Sequence, residues 1–583
     1  MSRTEPGGHP MLKDKSSFHF GGSSGNAFGK KGIHNDNVKN ILSVNLNHDG
    51  SGVILSNGHI AGYVNTERFS RLKKHPGLRE EDLTELLNQS HLAMKDLDLV
   101  LMVNLGVNYP EIEAKYGSDL KETWFDFSFN KSRNKITIRG QAIPCVINPN
   151  HFICHNACAY YFSPFKSAVC LGYDPMGSGA HFGSLNSLHD INFPSTQVGN
   201  VYNIVSCEYL RLGGVFGAGK TMGLAPYGNN ADDDGHLHVQ SLAERPCSHD
   251  SMGDILSLIS RLSGRNPVII EDGGHKWNAA LAFYVQEFLE KHLVYYLNEL
   301  YKLLWTKHQT NSDYFSTNLC LSGGTALNSV ANQIGFLCSP FKELYLHPAC
   351  GDDGTAIGAA LYYWHHVFNK PKIPRTNREA MYSVRTYDHE ITAALEKYRS
   401  HIRTDRDVDY ITRTAKLLAG GKIIGWYQGA SEIGPRALGN RSILCDPRNQ
   451  NMKQILNSKV KFRESFRPFA PTVLDSHSED WFGLKSSPFM LRVARVKKSE
   501  ARAIIHEDNT ARPQVLEKKD NVKYYELIEM FYHLTGVPLL LNTSFNIRGE
   551  PIVETPTDAL ECFLKTGLDH LVFPNVIVSK TSD

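Results

Sequence analysis

From Asn40 onward, apolar and polar positions fall into short runs whose periods alternate between strand and helix. ILSVNLN, residues 41–47, reads as a strand and His48-Asp49-Gly50 as a tight turn. GVILSNGHIAGYVNTERFSR reads as a hairpin across Asn57-Gly58. Residues 81–94 are predicted helical and Val100 to Val107 a strand. After the Asn148-Pro149-Asn150 turn, HFICHNACAYYFSPF is predicted to be helical through Tyr161 and to stop near Pro164. A strand at 167–171 leads into the loop YDPMGSGAHFGS, and residues 205–310 are rich in helical periodicity. NLCLSGGTALNSVANQIG and LYLHPACGDDGTAIGAALYYW each read as strand, glycine turn and helix. Such units aim backbone N–H groups and a helix N-terminus at a phosphate.

From about 368 to 403 the pattern breaks: KPKIPRTNREA is polar and interrupted by proline, as at a domain boundary. Beyond it ITRTAKLLAG and TPTDALECFLKTG read as helices, and KIIGWYQG and PLLLNTSFN as strands. The expectation is therefore an α/β protein. It comprises a disordered extension (1–38), a first module (39–375), a linker (376–403) and a second module (404–583), with no tandem repeat.

Bulk properties narrow the function classes. The 583 residues exceed one core, and the net charge of +2 offers no long electrostatic track for nucleic acid. Eleven cysteines at irregular spacing fit reduced thiols better than a disulfide framework. Residues 1–38 lack an apolar core of a signal peptide, and no stretch reaches the roughly 20 apolar residues of a membrane span. A cytoplasmic protein with no membrane or nucleic-acid partner is expected.

Candidate chemistry gathers in two places. From Gly429 to Pro471, Arg436, Arg441, Lys461, Arg463 and Arg467 lie among Phe462, Phe466, Pro468 and Phe469. Guanidiniums framed by aromatics and prolines suit a pocket for a planar or tetrahedral anion, which their fork geometry matches. Arg512, Asn542, Ser544 and Asn546 add a cation and hydrogen-bonding groups. Upstream, His151 and His155 stand at i, i+4 and would leave one helix face together. Asp174 and Asp352, each in a glycine-bearing loop after a strand, could complete a divalent-metal site. Cys154 and Cys158 interleave with the histidines, but a zinc–thiolate site wants a second close pair. His48, beside Asp49, is either a general base or a satisfied turn residue. Ser322, Gly323, Gly324, Asn328 and Lys220 would suit nucleotide phosphate and sugar. GGVFGAGKT matches the letters of a P-loop, yet it lacks a clear preceding strand and runs into Pro226.

HDGSG, TERFSRLKKH, HFICHNACAYYFSPF, MGLAPYG, LSGGTALN, GDDGTAIGAA, GPRALGNRSILCDPR, VKFRESFRPFAP, TARPQ and NTSFNIRGEPIVETPTDAL appear in order between about residues 40 and 575. Together they resemble the O-carbamoyltransferase family of nodulation-factor and antibiotic biosynthesis. The first module looks like tRNA threonylcarbamoyltransferase, of the two-lobed actin-like ATPase fold, and the second like the YrdC-like adenylating enzymes. The resemblance implies two sites. Carbamoyl phosphate and ATP, with its Mg2+, would give carbamoyl-adenylate at Arg436, Lys461, Arg467, Arg512 and Ser544, with Asn542 and Asn546 nearby. The carbamoyl group would then pass to a hydroxyl of a small natural product or sugar. His151, His155, Asp174 and Asp352 would hold a divalent metal, iron in the family, although manganese or zinc suits the same donors. His48 would deprotonate the acceptor, and Lys73, Lys220, Ser322, Gly323, Gly324 and Asn328 would hold the nucleotide. A homodimer is a further expectation from the resemblance. The family pattern Asp-Gly-x-Gly-Glu is replaced by Asp174-Pro175-Met176-Gly177-Ser178-Gly179, which leaves Asp174 the weakest ligand. The alternatives are a tRNA or other macromolecular carbamoyl or threonylcarbamoyl transferase, and a nucleotide-binding protein that no longer catalyses. A hydrogenase-maturation carbamoyltransferase would need front domains that do not fit in residues 1–40.

Overall fold

In a computed structural model of the chain, residues 37–105, 125–130, 134–229, 233–265, 267–309 and 315–581 are described. The extension expected over 1–38 lies outside them except for its last two residues, of which Val38 is buried in the first core. The protein is α/β, built on three main sheets. The first sheet has the order His59–Asn65, Ser51–Ser56, Asn40–Asn45, Leu99–Val103, Gln141–Ile147, Lys135–Ile138, Phe127–Asn130. The second has the order Ser187–Ile191, Gly177–Ser184, Ser167–Asp174, Asn318–Ser322, Glu343–Leu346. Both start as an antiparallel meander whose first strand then pairs in parallel with a later strand, which pairs in parallel with the next. The sequence showed no repeat; the topology is duplicated. Asn57 and Gly58 both take positive φ, 49° and 85°, as the expected two-residue hairpin turn requires.

Two helices fill the space between these sheets. His151–Phe162 packs on the second sheet, Thr355–Tyr362 on the first, and the two pack against each other. The first is buried almost throughout from Cys154 on, so its sequence is apolar on all sides. Contact is backbone-close: a Cβ on Gly358 would stand 1.7 Å from the Cys154 carbonyl oxygen. Only glycine permits that approach.

The third sheet has eight strands in the order Ile402–Arg406, Val576–Lys580, His570–Phe573, Ile424–Tyr427, Arg441–Cys445, Leu539–Ser544, Ala470–Leu474, Gln514–Leu516. The segment expected as a linker, 376–403, carries the helices Asn377–Met381 and Ile391–Lys397. Its Tyr387, Ile391, Ala394 and Leu395 belong to the core of the third sheet. Conversely Ile433, Leu438, Phe466, Phe489 and Leu491 of the second module are buried in the core of the first. The modules therefore share apolar surface, and they are tied by Arg71 to the carbonyls of Ile552 (2.7 Å) and Pro551 (3.0 Å) and by Arg492 to Gln333 (2.7 Å). Among the described residues no helix is long and apolar enough to cross a membrane.

Candidate active site

The close helix pair brings two histidines to a carboxylate. Asn150 caps the His151–Phe162 helix by accepting the Ile153 N–H, and the i, i+4 spacing aims both imidazoles one way. Their Nε2 atoms stand 3.1 Å apart. Asp352, in the turn that starts the second helix, places Oδ1 3.3 Å from His155 Nε2 and 3.9 Å from His151 Nε2. Asp174, at the end of its strand, completes a group whose ligand atoms all lie within 4.8 Å of one another. An outer layer of asparagines fixes this arrangement. Asn104 Oδ1 meets His151 Nδ1 at 3.0 Å, which puts the ring proton there and leaves the Nε2 lone pair facing inward. Asn47 donates to Asp352 Oδ2 at 2.8 Å, and the Gly324 N–H donates to Asp174 Oδ2 at 2.9 Å. Burial would raise Asp352, but His48, His155 and His151 outweigh it and hold the carboxyl well below the usual range. Two inward imidazole nitrogens with two carboxylates form the donor set of a divalent first-row metal, and the residues fit that role.

His48 sits on the rim of this cluster. Its Nδ1 bonds Asp49 Oδ2 at 2.8 Å, and its Nε2 stands 3.9 Å from Asp352 Oδ2. Asp49 is in turn paired with Lys74 at 2.6 Å. Burial would lower the His48 pKa, but Asp352 and Asp49 raise it, which strengthens the ring as a base.

The second cluster lies in the other module. Lys461 is 3% exposed, and its ammonium donates to the Ser544 and Asn546 carbonyls, the latter at 3.0 Å, and to Asn546 Oδ1 at 2.7 Å. Ser544 Oγ donates to the same Oδ1 at 2.8 Å. Around it stand Arg436, Arg463, Arg467 and Arg512. Burial lowers all four, with neighbouring guanidiniums adding to the effect at Arg436, Arg463 and Arg512; Arg436 falls to about 10. Among the described residues Glu464 is the one carboxylate within ion-pair distance of these arginines, 3.6 Å from Arg467. The Nε atoms of Arg436, Arg463 and Arg512 are buried without a partner. Like charges gathered with buried, unpartnered N–H groups suit an anion between them. The loops of the two clusters are neighbours: the loop at Gly434 packs on the Pro348 carbonyl, and Arg436 lies near Cys350, close in sequence to Asp352.

Residues 40–361 match the family described as "Carbamoyltransferase N-terminus", and residues 415–580 match "Carbamoyltransferase C-terminus". The chain belongs to the carbamoyltransferase family. It is similar to the nodulation protein NolNO of Sinorhizobium fredii, at 31% identity over 91% of this chain and 79% of that one. It is also similar to an uncharacterized protein of Synechocystis (31%; 92% and 95%). The 3'-hydroxymethylcephem-O-carbamoyltransferase of Amycolatopsis lactamdurans is 27% identical over 68% of this chain and 69% of its own. Component A of the (R)-2-hydroxyglutaryl-CoA dehydratase of Acidaminococcus fermentans covers 56% of this chain and 97% of its own at 12% identity, with a TM-score of 0.29. That likeness is too distant to decide anything.

In this carbamoyltransferase the remaining predicted residues are placed as follows. Ser322 Oγ donates to Asn156 Oδ1 at 2.7 Å, and Gly323, at φ 90°, lies against the Tyr173 carbonyl. Gly324 supports Asp174, while Asn328 caps the helix Ser329–Leu337 and pairs its amide with Gln286. Through Gly324 the loop thus braces Asp174. Lys220 donates to the Leu212 carbonyl (2.9 Å) and approaches Glu464 at 3.3 Å, so it bridges the modules. Lys73 is held below its ordinary pKa by burial and by Arg467, which places it toward the second cluster. Asn542 donates to the Ala437 carbonyl and to Thr472, behind the cations. The GAGK stretch is the helix Gly214–Leu224, not a phosphate loop. Arg441 is the clear departure: it is fully buried and donates to four main-chain carbonyls, of Glu554, Gln428, Asn440 and Gly429, outside the anion cluster. Asn47, Asn104 and Lys74 were missed as supporting residues. Lys74 alone carried a signal, being adjacent to Lys73 in TERFSRLKKH.

Proposed function

We propose that the carbamoyltransferase works at two neighbouring sites, using ATP and carbamoyl phosphate to carbamoylate a hydroxyl of a small natural product or sugar. At the cation cluster, water and carbamoyl phosphate would give carbamate and phosphate. Carbamate and ATP, with its Mg2+, would then give carbamoyl-adenylate and pyrophosphate. Arg436, Arg463, Arg467, Arg512 and Lys461 would neutralise the charge that builds on the transferring phosphoryl groups. Lys461 is positioned for this by Ser544 and Asn546. The observation that carries the reading is the cluster of half-buried arginines around the buried Lys461, with three buried, unpartnered Nε atoms and, among the described residues, a single carboxylate in ion-pair range.

At the other site, carbamoyl-adenylate and the acceptor hydroxyl would give the carbamate ester and AMP. His48 Nε2 would take the hydroxyl proton while Asp49 holds Nδ1–H and Lys74 holds Asp49. His151, His155, Asp174 and Asp352 would bind a divalent cation, for which iron is our reading; manganese and zinc suit the donors too. When bound it supplies Lewis-acid polarisation of the carbamoyl carbonyl. Enclosure between the modules protects carbamate and its adenylate from water. The duplicated strand order supports an actin-like ATPase reading of residues 39–375, and the cation cluster on the third sheet supports a YrdC-like reading of 404–583.

The test is pyrophosphate release from ATP with carbamoyl phosphate as the single variable. Arg436→Ala or Lys461→Ala abolishes it, whereas His151→Ala retains it and loses transfer to acceptor. A folded His151→Ala protein without pyrophosphate release overturns the two-site assignment.

A further inference from the structure

Three consecutive residues link the cation cluster to the surface. The π-helical turn Asn457–Lys461 ends with Lys461 inside the cluster, and such turns recur at functional sites. The next residue, Phe462, has φ 45° and ψ 46°, a conformation costly for an aromatic residue, and is 50% exposed. Its backbone is pinned there: the N–H donates to the Asn457 carbonyl (2.7 Å), and its own carbonyl accepts from Arg548 (3.0 Å). Arg463 follows, its guanidinium 4.3 Å from the centre of the Phe469 ring and its Nε buried without a partner.

Phe462 and Arg463 also line a pocket of about 390 Å³ that opens at the junction of the modules. Lys453, Gln454, Asn457 and Ser458 form its floor and side. The opposite wall is the hairpin Ile269–Asn278 of the first module, which docks through Trp277 on Phe466 and through Asp272, whose carboxylate accepts the Ser465 N–H at 2.6 Å. Asp272 is the one carboxylate in the lining, and that bond engages it. Lys453, Arg463, Ser458 and Asn457 line the space with two cationic residues, a hydroxyl residue and an amide residue, a set suited to a phosphate group. Lys453 also donates to the Tyr227 hydroxyl at 3.4 Å, Ser458 to the Ile455 carbonyl at 3.1 Å and Arg463 to the Pro468 carbonyl at 3.2 Å. Burial and Arg463 hold the Lys453 ammonium below its ordinary pKa, a repulsion that an anion between them would relieve. The volume falls in the range of small-molecule sites.

We propose that this pocket is the anion port of the adenylating site, admitting the phosphorylated co-substrate to Lys461 past Phe462 and Arg463 and returning inorganic phosphate. The direction of traffic rests on the function proposed above; the binding of a phosphate group in the pocket does not.

Ser458, exposed at the lip, supplies the test. In full-length protein carrying Cys338→Ser, which removes the exposed cysteine, Ser458→Cys is labelled with a bulky maleimide. Inorganic phosphate is expected to slow labelling by about threefold or more, and adding Lys453→Gln is expected to remove that protection. The labelled protein is expected to lose about tenfold or more of its carbamoyl-phosphate-dependent pyrophosphate release relative to the same protein unlabelled, with its thermal stabilisation by ATP retained. Labelling that phosphate does not slow, protection that survives Lys453→Gln, or full turnover by the plugged protein overturns the port. Absence of carbamoyl-phosphate-dependent release before labelling overturns the function reading instead, and the phosphate-protection arm then still decides whether the pocket binds an anion.

Discussion

Arg436 and Arg441 stand close in sequence, in a loop and at the start of the strand Arg441–Cys445, and do opposite work. Arg441 neutralises no ligand: its guanidinium satisfies four carbonyls and lies 3.6 Å from the Tyr427 ring centre, so the backbone around Gln428–Asn440 is built on it. Arg441→Met is expected to lower the unfolding free energy by about 3 kcal/mol or more, because buried carbonyls lose charged donors. Arg436, with an unpartnered Nε and like charges around it, is expected to behave in reverse. Arg436→Met leaves the thermal midpoint unchanged or raised while pyrophosphate release disappears, and one melting series on both variants checks the contrast. The sequence made the density of arginines legible but not their facing, since the chain must fold back on Gln428–Asn440 and bring in the distant Glu554 before its carbonyls can claim Arg441. The same holds for Lys73 and Lys74. Lys74 has φ 60°, and this left-handed residue turns its ammonium to Asp49. Lys74→Met should reduce transfer by about tenfold to a hundredfold while sparing pyrophosphate release, and Lys74→Arg should recover part of it. Equal loss of both activities would remove Lys74 from the His48–Asp49 line.

Among the elements, the helix pair His151–Phe162 and Thr355–Tyr362 decides whether His151, His155 and Asp352 meet Asp174. Each helix was legible from its own residues, the first from its apolar run and the second from its glycine-turn start, and so was the shared face of His151 and His155. Their separation was not, because it depends on Gly358 meeting the Cys154 carbonyl, a contact between distant segments. A methyl group there must push the helices apart, and ligand spacing within a metal site tolerates little displacement. Gly358→Ala is expected to lower metal content after reconstitution by about tenfold or more, assayed by elemental analysis on folded protein. Gly219 gives the contrasting case: a Cβ there meets nothing within 4 Å in the helix Gly214–Leu224. Gly219→Ala should raise stability by about 0.5–1 kcal/mol without loss of turnover, an outcome that a phosphate-cradling glycine would not allow.

At the scale of the whole molecule, an α/β protein was legible from periodicity, but the interleaving of its cores was not. Phe466, Phe489 and Leu491 lie in the second half of the chain, yet they are buried in the first core, a fact about docking that no local pattern encodes. The extensive burial has a consequence for acid stability. His181, His292 and His347 are held neutral by burial, His181 and His347 down to about 3 and His292 to about 4. In the unfolded chain each titrates near 6.5. As pH falls from 7 towards 5 the unfolded state binds protons that the folded state refuses, so stability falls with pH in that window. Each such histidine contributes up to about 2 kcal/mol of loss at pH 5. The thermal midpoint should therefore drop between pH 7 and pH 5 at constant ionic strength. His347, whose Nε2 has no partner, is the residue to isolate. Replacing it by Gln removes a titrating group without a large change in size, so the pH 7 to pH 5 loss should shrink by that one contribution. A slope identical to that of the unaltered protein would show that His347 is already protonated in the fold, and that its burial does not control the acid response.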